Sequence, residues 1–283
     1  MGLLGLALLA APSAASALPQ DLFYERTVMS ALGERCGLFT PEVSAALAAS
    51  AAQARGASLR AGLDRRALTA IDREARAKAS RAKCRSADVT TVAARVRDAF
   101  SAYERITRLT YPGDASAWRA DRGAGRTARW RLAQDAKMGK NRVTFGLVGR
   151  DGASALVAVA DLDSKQAPYA ARLVLRDEVR TIGPYLDPRA KTSQLNKKLP
   201  PPGATKAYMA EARAPAEDEL LPKGASRGWA FRFPAAAAQA LAALDPREAV
   251  AVEFLFAGDK VRTAYVEVGD FAAGRAFLQV ASR

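Results

Sequence analysis

Histidine is missing from all 283 positions. The usual general base of hydrolytic triads is therefore absent, and so is the commonest nitrogen ligand of protein-bound metals. Cysteine occurs only twice, as Cys36 and Cys84, and no C-x-x-C pair exists to hold zinc or to run dithiol redox chemistry. Long apolar runs are also lacking: residues 3 to 11, "LLGLALLAA", fall well short of the roughly 20 residues that a membrane-spanning helix needs. No cofactor and no metal is expected from this inventory.

That short run reads instead as the apolar core of an export leader. Pro12 breaks it, and Ala15-Ser16-Ala17 places small residues where a signal peptidase cleaves, so residues 1 to 17 are expected to be a signal peptide and the mature chain to begin at Leu18. No cysteine sits at the cleavage point and no twin-arginine pair precedes it, which points to the general secretory route. The expected location is periplasmic or secreted, with no transmembrane span in the mature chain.

Helical signals follow at once. Leu22, Met29, Leu32 and Cys36 recur at helical spacing before Gly37, a C-terminal cap. Thr40-Pro41-Glu42 opens an alanine-rich second helix running to about Gly62, and Asp64 caps a third that ends near Cys84. From Ser86 or Asp88, the stripe Val89, Val92, Ala93, Val96, Phe100, Tyr103 and Thr107 predicts a fourth. Short connections make consecutive helices antiparallel, so helices one and three end together and Cys36 can meet Cys84. A disulfide there belongs to an oxidising compartment.

"YPGD", residues 111 to 114, predicts a turn and the first domain boundary. Beyond it the period becomes two. Strands are expected around Trp130 to Gln134, around Val143 to Leu147, and at 154–162, 171–179, 205–213, 229–233, 249–257 and 260–268. Asp151-Gly152 and Gly258-Asp259 are expected to form hairpin turns. A short helix from Ala235 to Leu244 and a closing segment with Phe271, Phe277 and Leu278 complete the pattern. The fold class expected is α+β: a disulfide-stapled four-helix bundle (18–112), a linker (113–126), then an antiparallel β-sandwich or half-open barrel (127–283). Two stretches, 183–203 and 214–228, read as solvated connections, the first long enough to carry function.

The segments "GWAFRFP", "VAVEFLF", "AYVEV" and "GDFAAGRAFLQVA" resemble the C-terminal arrangement of exported β-domain proteins of the invasion-associated locus B type. The helical part, with its paired cysteines, resembles secreted proteins of proteobacteria. The first resemblance implies a periplasmic or envelope protein without known catalysis, and no activity follows from the second.

Charge is the remaining signal. Lys and Arg number 43 against 29 Asp and Glu, a net charge of +14. Residues 109 to 150 hold nine Lys or Arg against three Asp or Glu, with Trp118 and Trp130 interleaved. Arg119, Arg122, Arg126, Arg129, Arg131, Lys140 and Arg142 are thus candidate polyanion-binding residues, alongside Lys137. The expected partner is an envelope protein or an anionic envelope polymer, not nucleic acid. A structural role in an envelope assembly is a further alternative. Ser80 and Lys83 fit S-x-x-K, with Lys191-Thr192-Ser193 later, and outline a serine hydrolase as the catalytic alternative. Asp161 and Asp163 share a strand face but lack a calcium loop, and Glu217, Asp218 and Glu219 read as a solvated loop.

Overall fold

The computed structural model describes residues 17–150, 153–162, 167–186 and 194–280. The expected leader, the Asp151-Gly152 turn, Asp163 and Lys191-Thr192-Ser193 lie outside the described residues, apart from Ala17 at the end of the leader.

Four helices come first: α1 (Pro19–Cys36), α2 (Pro41–Arg60), α3 (Arg65–Arg81) and α4 (Ala87–Tyr103). Their ends are chemically marked. Thr40, Asp64 and Ser86 accept the backbone N–H of Val43, Ala67 and Val89, and Gly37 closes α1 at φ 62°. Gly33 has no side chain because the Phe39 ring occupies that space, 2.5 Å from where a Cβ would stand. Small apolar cores tie the bundle together, Phe23 with Ala54, Leu59 and Leu68, and Met29 with Leu32, Ala79 and Val89. Cys36 and Cys84 form a disulfide across the ends of α1 and α3, with Cα atoms 5.5 Å apart. On α4 the apolar stripe is only partly covered: Val89 and Ala93 are buried, while Val96, Phe100 and Tyr103 are half-buried.

Eleven antiparallel strands follow among the described residues. One sheet has the order β1 (Arg108–Tyr111), β2 (Trp118–Asp121), β3 (Arg129–Met138), β4 (Asn141–Arg150), β5 (Ala153–Ala160), β9 (Trp229–Phe233), β8 (Ala212–Pro215). The other has the order β11 (Lys260–Glu267), β10 (Ala249–Phe256), β6 (Ala170–Arg176), β7 (Thr205–Met209). The expected 205–213 strand divides into β7 and β8, one in each sheet, with a bend at Ala210 and Glu211. Ala210 N–H still bonds Ala171 on β6, whereas Glu211 N–H already bonds Arg232 on β9. At that corner the sheets become a barrel wall.

Period-two patterning fills the interior. Phe145 and Leu147, Leu156 and Ala158, Phe231 and Phe233, Leu173, Val252 and Phe254, and Val266 all point inward and are buried. Edge-on ring contacts join Phe145 to Phe233 and Phe231 to Phe254. Two helices, α5 (Ala235–Ala243) and α6 (Phe271–Leu278), add Leu241, Phe271 and Phe277 to this core. A bulge at Arg131 interrupts the β3–β4 register, and Gly146, opposite Ala133 just beyond it, has φ 155° and no room for a Cβ, which would collide with the Leu132 carbonyl.

Two boundaries differ from expectation. The sheet begins at Arg108, before the "YPGD" turn, and the stretch 113–126 contains β2, paired with β1 from Tyr111↔Trp118 to Arg108↔Asp121. Four-residue strands are too short to show a period, which is why the sequence pattern passes over them. The 214–228 stretch is not simply solvated: Leu220 is buried with Val148, Val157 and Val159 on the outer face of the sheet, and its carbonyl accepts the Trp130 indole N–H at 3.1 Å. Glu217, Asp218 and Glu219 are exposed, as expected.

Candidate functional site

The barrel closes imperfectly between β3 and β11. β11 is the edge of its sheet, and β2 pairs with β3 only at Ala133 and Leu132. Beyond that point a buried side chain bridges the seam. Gln134 accepts Glu267 N–H at 2.8 Å and donates to the Glu267 carbonyl at 3.2 Å, so its amide imitates one residue of a missing ladder.

The Glu267 side chain locks the top of the seam. Its carboxylate is buried and accepts three successive backbone N–H groups, from Asp114 at 2.7 Å and from Ala115 and Ser116 at 2.8 Å. This explains "YPGD": at Gly113 a Cβ would strike the Ser116 carbonyl and stand 2.6 Å from the carboxylate. The Trp118 indole donates to the Val268 carbonyl at 2.9 Å beside it.

Below this lock the strands part, and a cleft of about 320 Å³ opens between them. Lys137 and Asp135 of β3, Arg142 of β4, Tyr265 of β11, Ser116 and Lys223 line it, over Ala136, Val143, Leu195 and Pro222. A second opening of about 450 Å³ continues along the same strands, lined by Met138, Lys140, Asn141, Arg262 and Thr263. Asp135 is paired with Arg119 at 2.9 Å and accepts the Thr144 hydroxyl at 3.1 Å. Arg142 donates to the Lys223 carbonyl, across Gly224 at φ 79°, where a side chain would collide with the guanidinium. Lys137, Lys140 and Lys223 are exposed and have no ion-pair partner among the described residues.

The candidate cations therefore separate into two groups. Arg119, Lys140 and Arg142 belong to the seam, with Lys137. Arg122 does not reach the surface: it is 2% exposed, donates to the carbonyls of Tyr103 at 2.6 Å, Ile106 at 2.7 Å and Glu104 at 3.0 Å, and lies 4.5 Å from the Phe277 ring centroid. It neutralises the C-terminal end of α4, where unpaired carbonyls concentrate negative charge. Arg129 and Arg131 both donate to the Gly123 carbonyl, and Arg131 is buried, so they knot the loop after β2. Arg126 is exposed on that loop. Count and spacing cannot distinguish an arginine that gathers carbonyls from one that waits for an anion. Lys223 escapes the sequence reading because it lies in a stretch taken as a connection. Tyr265 is legible only as the outward residue between the inward Ala264 and Val266.

Ser80 and Lys83 meet no catalytic geometry. Both are exposed, and the Ser80 hydroxyl donates back to the Ala77 carbonyl of its own helix at 2.9 Å. Asp161 follows β5, where its carbonyl accepts the Asn141 side chain at 2.6 Å. Among the described residues no three of His, Cys, Asp and Glu gather as a metal site would require, and no helix is long and apolar enough to cross a membrane. Compared with known proteins, the chain matches no family model, no curated protein and no solved structure.

Proposed function

We propose that the protein is a non-catalytic module of the periplasm or cell envelope that binds an anionic polymer at the barrel seam. The observation that carries this reading is that Lys137, Lys140 and Lys223 line the two openings of the seam with Arg142, while Asp135 of the same cleft is already engaged by Arg119. A cleft with an excess of cations over low-dielectric walls, its Asp135 already ion-paired, concentrates anions. The barrel interior is filled by its own phenylalanines and leucines, which favours the seam over the lumen as the place for a ligand. The Cys36–Cys84 bridge supports export, since such cross-links persist outside the reducing cytosol. The expected leader and the resemblance to locus B type proteins point the same way.

Retention on a sulfated-polysaccharide matrix tests it. The triple variant K137A/K140A/K223A is expected to elute early, with the slope of log affinity against log salt reduced by roughly one for each lost contact. A charge-matched control on the helical part, R73A/R81A/K83A, is expected to elute with the wild type. Equal losses in both would reduce the effect to net charge and overturn the reading.

A further inference from the structure

Resting on that reading, we infer that the polymer is an acidic glycan, with a sugar ring laid on Tyr265 and its acidic groups met by Lys137, Lys223 and Lys140. Lysines alone would accept any polyanion, but this cleft holds more than lysines. Tyr265 is half-buried and lines the cleft together with Leu195, Pro222 and Ala136. An aromatic face beside aliphatic surface suits the C–H face of a pyranose and gives nothing to a phosphate chain.

The polar groups discriminate in the same direction. The Ser116 hydroxyl, which donates to the Asp135 carbonyl at 3.4 Å, stands in the cleft as an acceptor, while both carboxylate oxygens of Asp135 are engaged by Arg119 and Thr144. A sugar hydroxyl can donate to the Ser116 oxygen, whereas the acceptor-only oxygens of a polyphosphate cannot. Phosphate groups are characteristically held by runs of backbone N–H or by bidentate arginine. The run of N–H groups nearest the cleft, from Asp114 to Ser116, is already filled by the Glu267 carboxylate, and Arg142 is directed at the Lys223 carbonyl.

Shape favours a chain over a single ion. The two openings follow one another along β11, from Tyr265 to Thr263 on the same face, two residues or about 7 Å at the rise of an extended strand. Lys140 lines the second opening, one step beyond Lys137 and Lys223. A ligand engaging all three must extend along the seam.

Calorimetric titration of the full chain with oligogalacturonate and heparin-derived oligosaccharides, against polyphosphate, polyglutamate and neutral dextran, tests this. Acidic oligosaccharides are expected to bind tightest and dextran not at all. Y265A should weaken oligosaccharide binding about five- to tenfold, as expected for a lost ring contact, and leave polyphosphate and polyglutamate unchanged, while Y265F retains binding and shows that the ring, not the hydroxyl, is the contact. Polyphosphate or polyglutamate binding as tightly as the glycans, or a silent Y265A, overturns the glycan assignment while leaving the polyanion reading intact if K137A/K140A/K223A still loses binding. Failure of every polyanion to bind removes both.

Discussion

Arg60 grips both carboxylate oxygens of Asp270, each at 2.8 Å, and so ties the last turn of α2 to the residue that opens α6. Asp270 is 3% exposed, and room for it exists because residue 56 is glycine: a Cβ there would strike its carboxylate. Ala49 and Ala52 of the same helix pack on the barrel core, so the poverty of α2 in large side chains is what lets it lie against α6. Removing one partner leaves the other charge buried. R60A is expected to destabilise the protein by about 3 kcal/mol, and G56A by about 2 kcal/mol through overpacking. Urea denaturation of each variant measures this. Because both changes disturb the same carboxylate, the double variant should cost less than their sum.

The lock on the seam gives the second prediction. E267A leaves the N–H groups of Asp114, Ala115 and Ser116 without their acceptor, and each such bond to a charged group contributes about 1.5 to 3 kcal/mol. The variant should lose about 3 kcal/mol, since water re-solvates part of the opened turn, and limited proteolysis should cut between residues 112 and 117. G113A, which intrudes on the same carboxylate, should be cut at the same place.

Much of this architecture is legible in the chain. Thr40, Asp64 and Ser86 mark helix starts because a side-chain oxygen satisfies an orphan N–H wherever it stands, and strands with an inward apolar set announce themselves by alternation. The meeting of Cys36 with Cys84 follows from two antiparallel connections. What stays hidden depends on partners distant in sequence. Glu267 reads as an outward acid at the end of β11 until the turn at 114–116 folds over it. Arg122 reads as surface charge until the end of α4 and the Phe277 ring close around it. The seam itself is invisible, because a strand edge left without a neighbour has the same composition as one with a neighbour.

A buried pair supplies the pH prediction. Arg176 and Glu248, 0% and 1% exposed, are joined by two bonds of 2.5 and 3.0 Å where β6 ends and β10 begins. Burial pushes the Glu248 carboxyl above its ordinary value of 4.5, and Arg176 opposes that push. A carboxyl raised on folding keeps a proton that the unfolded chain has released. Its contribution to stability is therefore full below the unfolded pKa and is lost as pH rises through the folded one. R176M removes the opposition and enlarges the shift. Relative to wild type, the variant is expected to lose about 3 kcal/mol at neutral pH, and less as pH falls toward 4.5. Denaturation at a series of pH values checks the trend, and R176M/E248Q should abolish it.

The disulfide acts on the helices more than on the barrel. It joins residues separated by 48 positions, and closing a loop of that size in the unfolded chain is worth about 4 kcal/mol in the chain-entropy model. The cores it protects are small, four buried residues each around Phe23 and around Met29, whereas the barrel has one extensive core of its own. Trp118, Trp130 and Trp229 all lie on strands, so indole fluorescence follows the barrel while far-UV dichroism is dominated by the helices. C36S/C84S, or the wild type under reductant, should therefore lower the dichroism midpoint well below the fluorescence midpoint, with the two transitions closer together in the oxidised protein. Coincident midpoints in the reduced protein would mean that α2, through Arg60 and Asp270, binds bundle and barrel into a single cooperative unit, and R60A should then be the change that separates them.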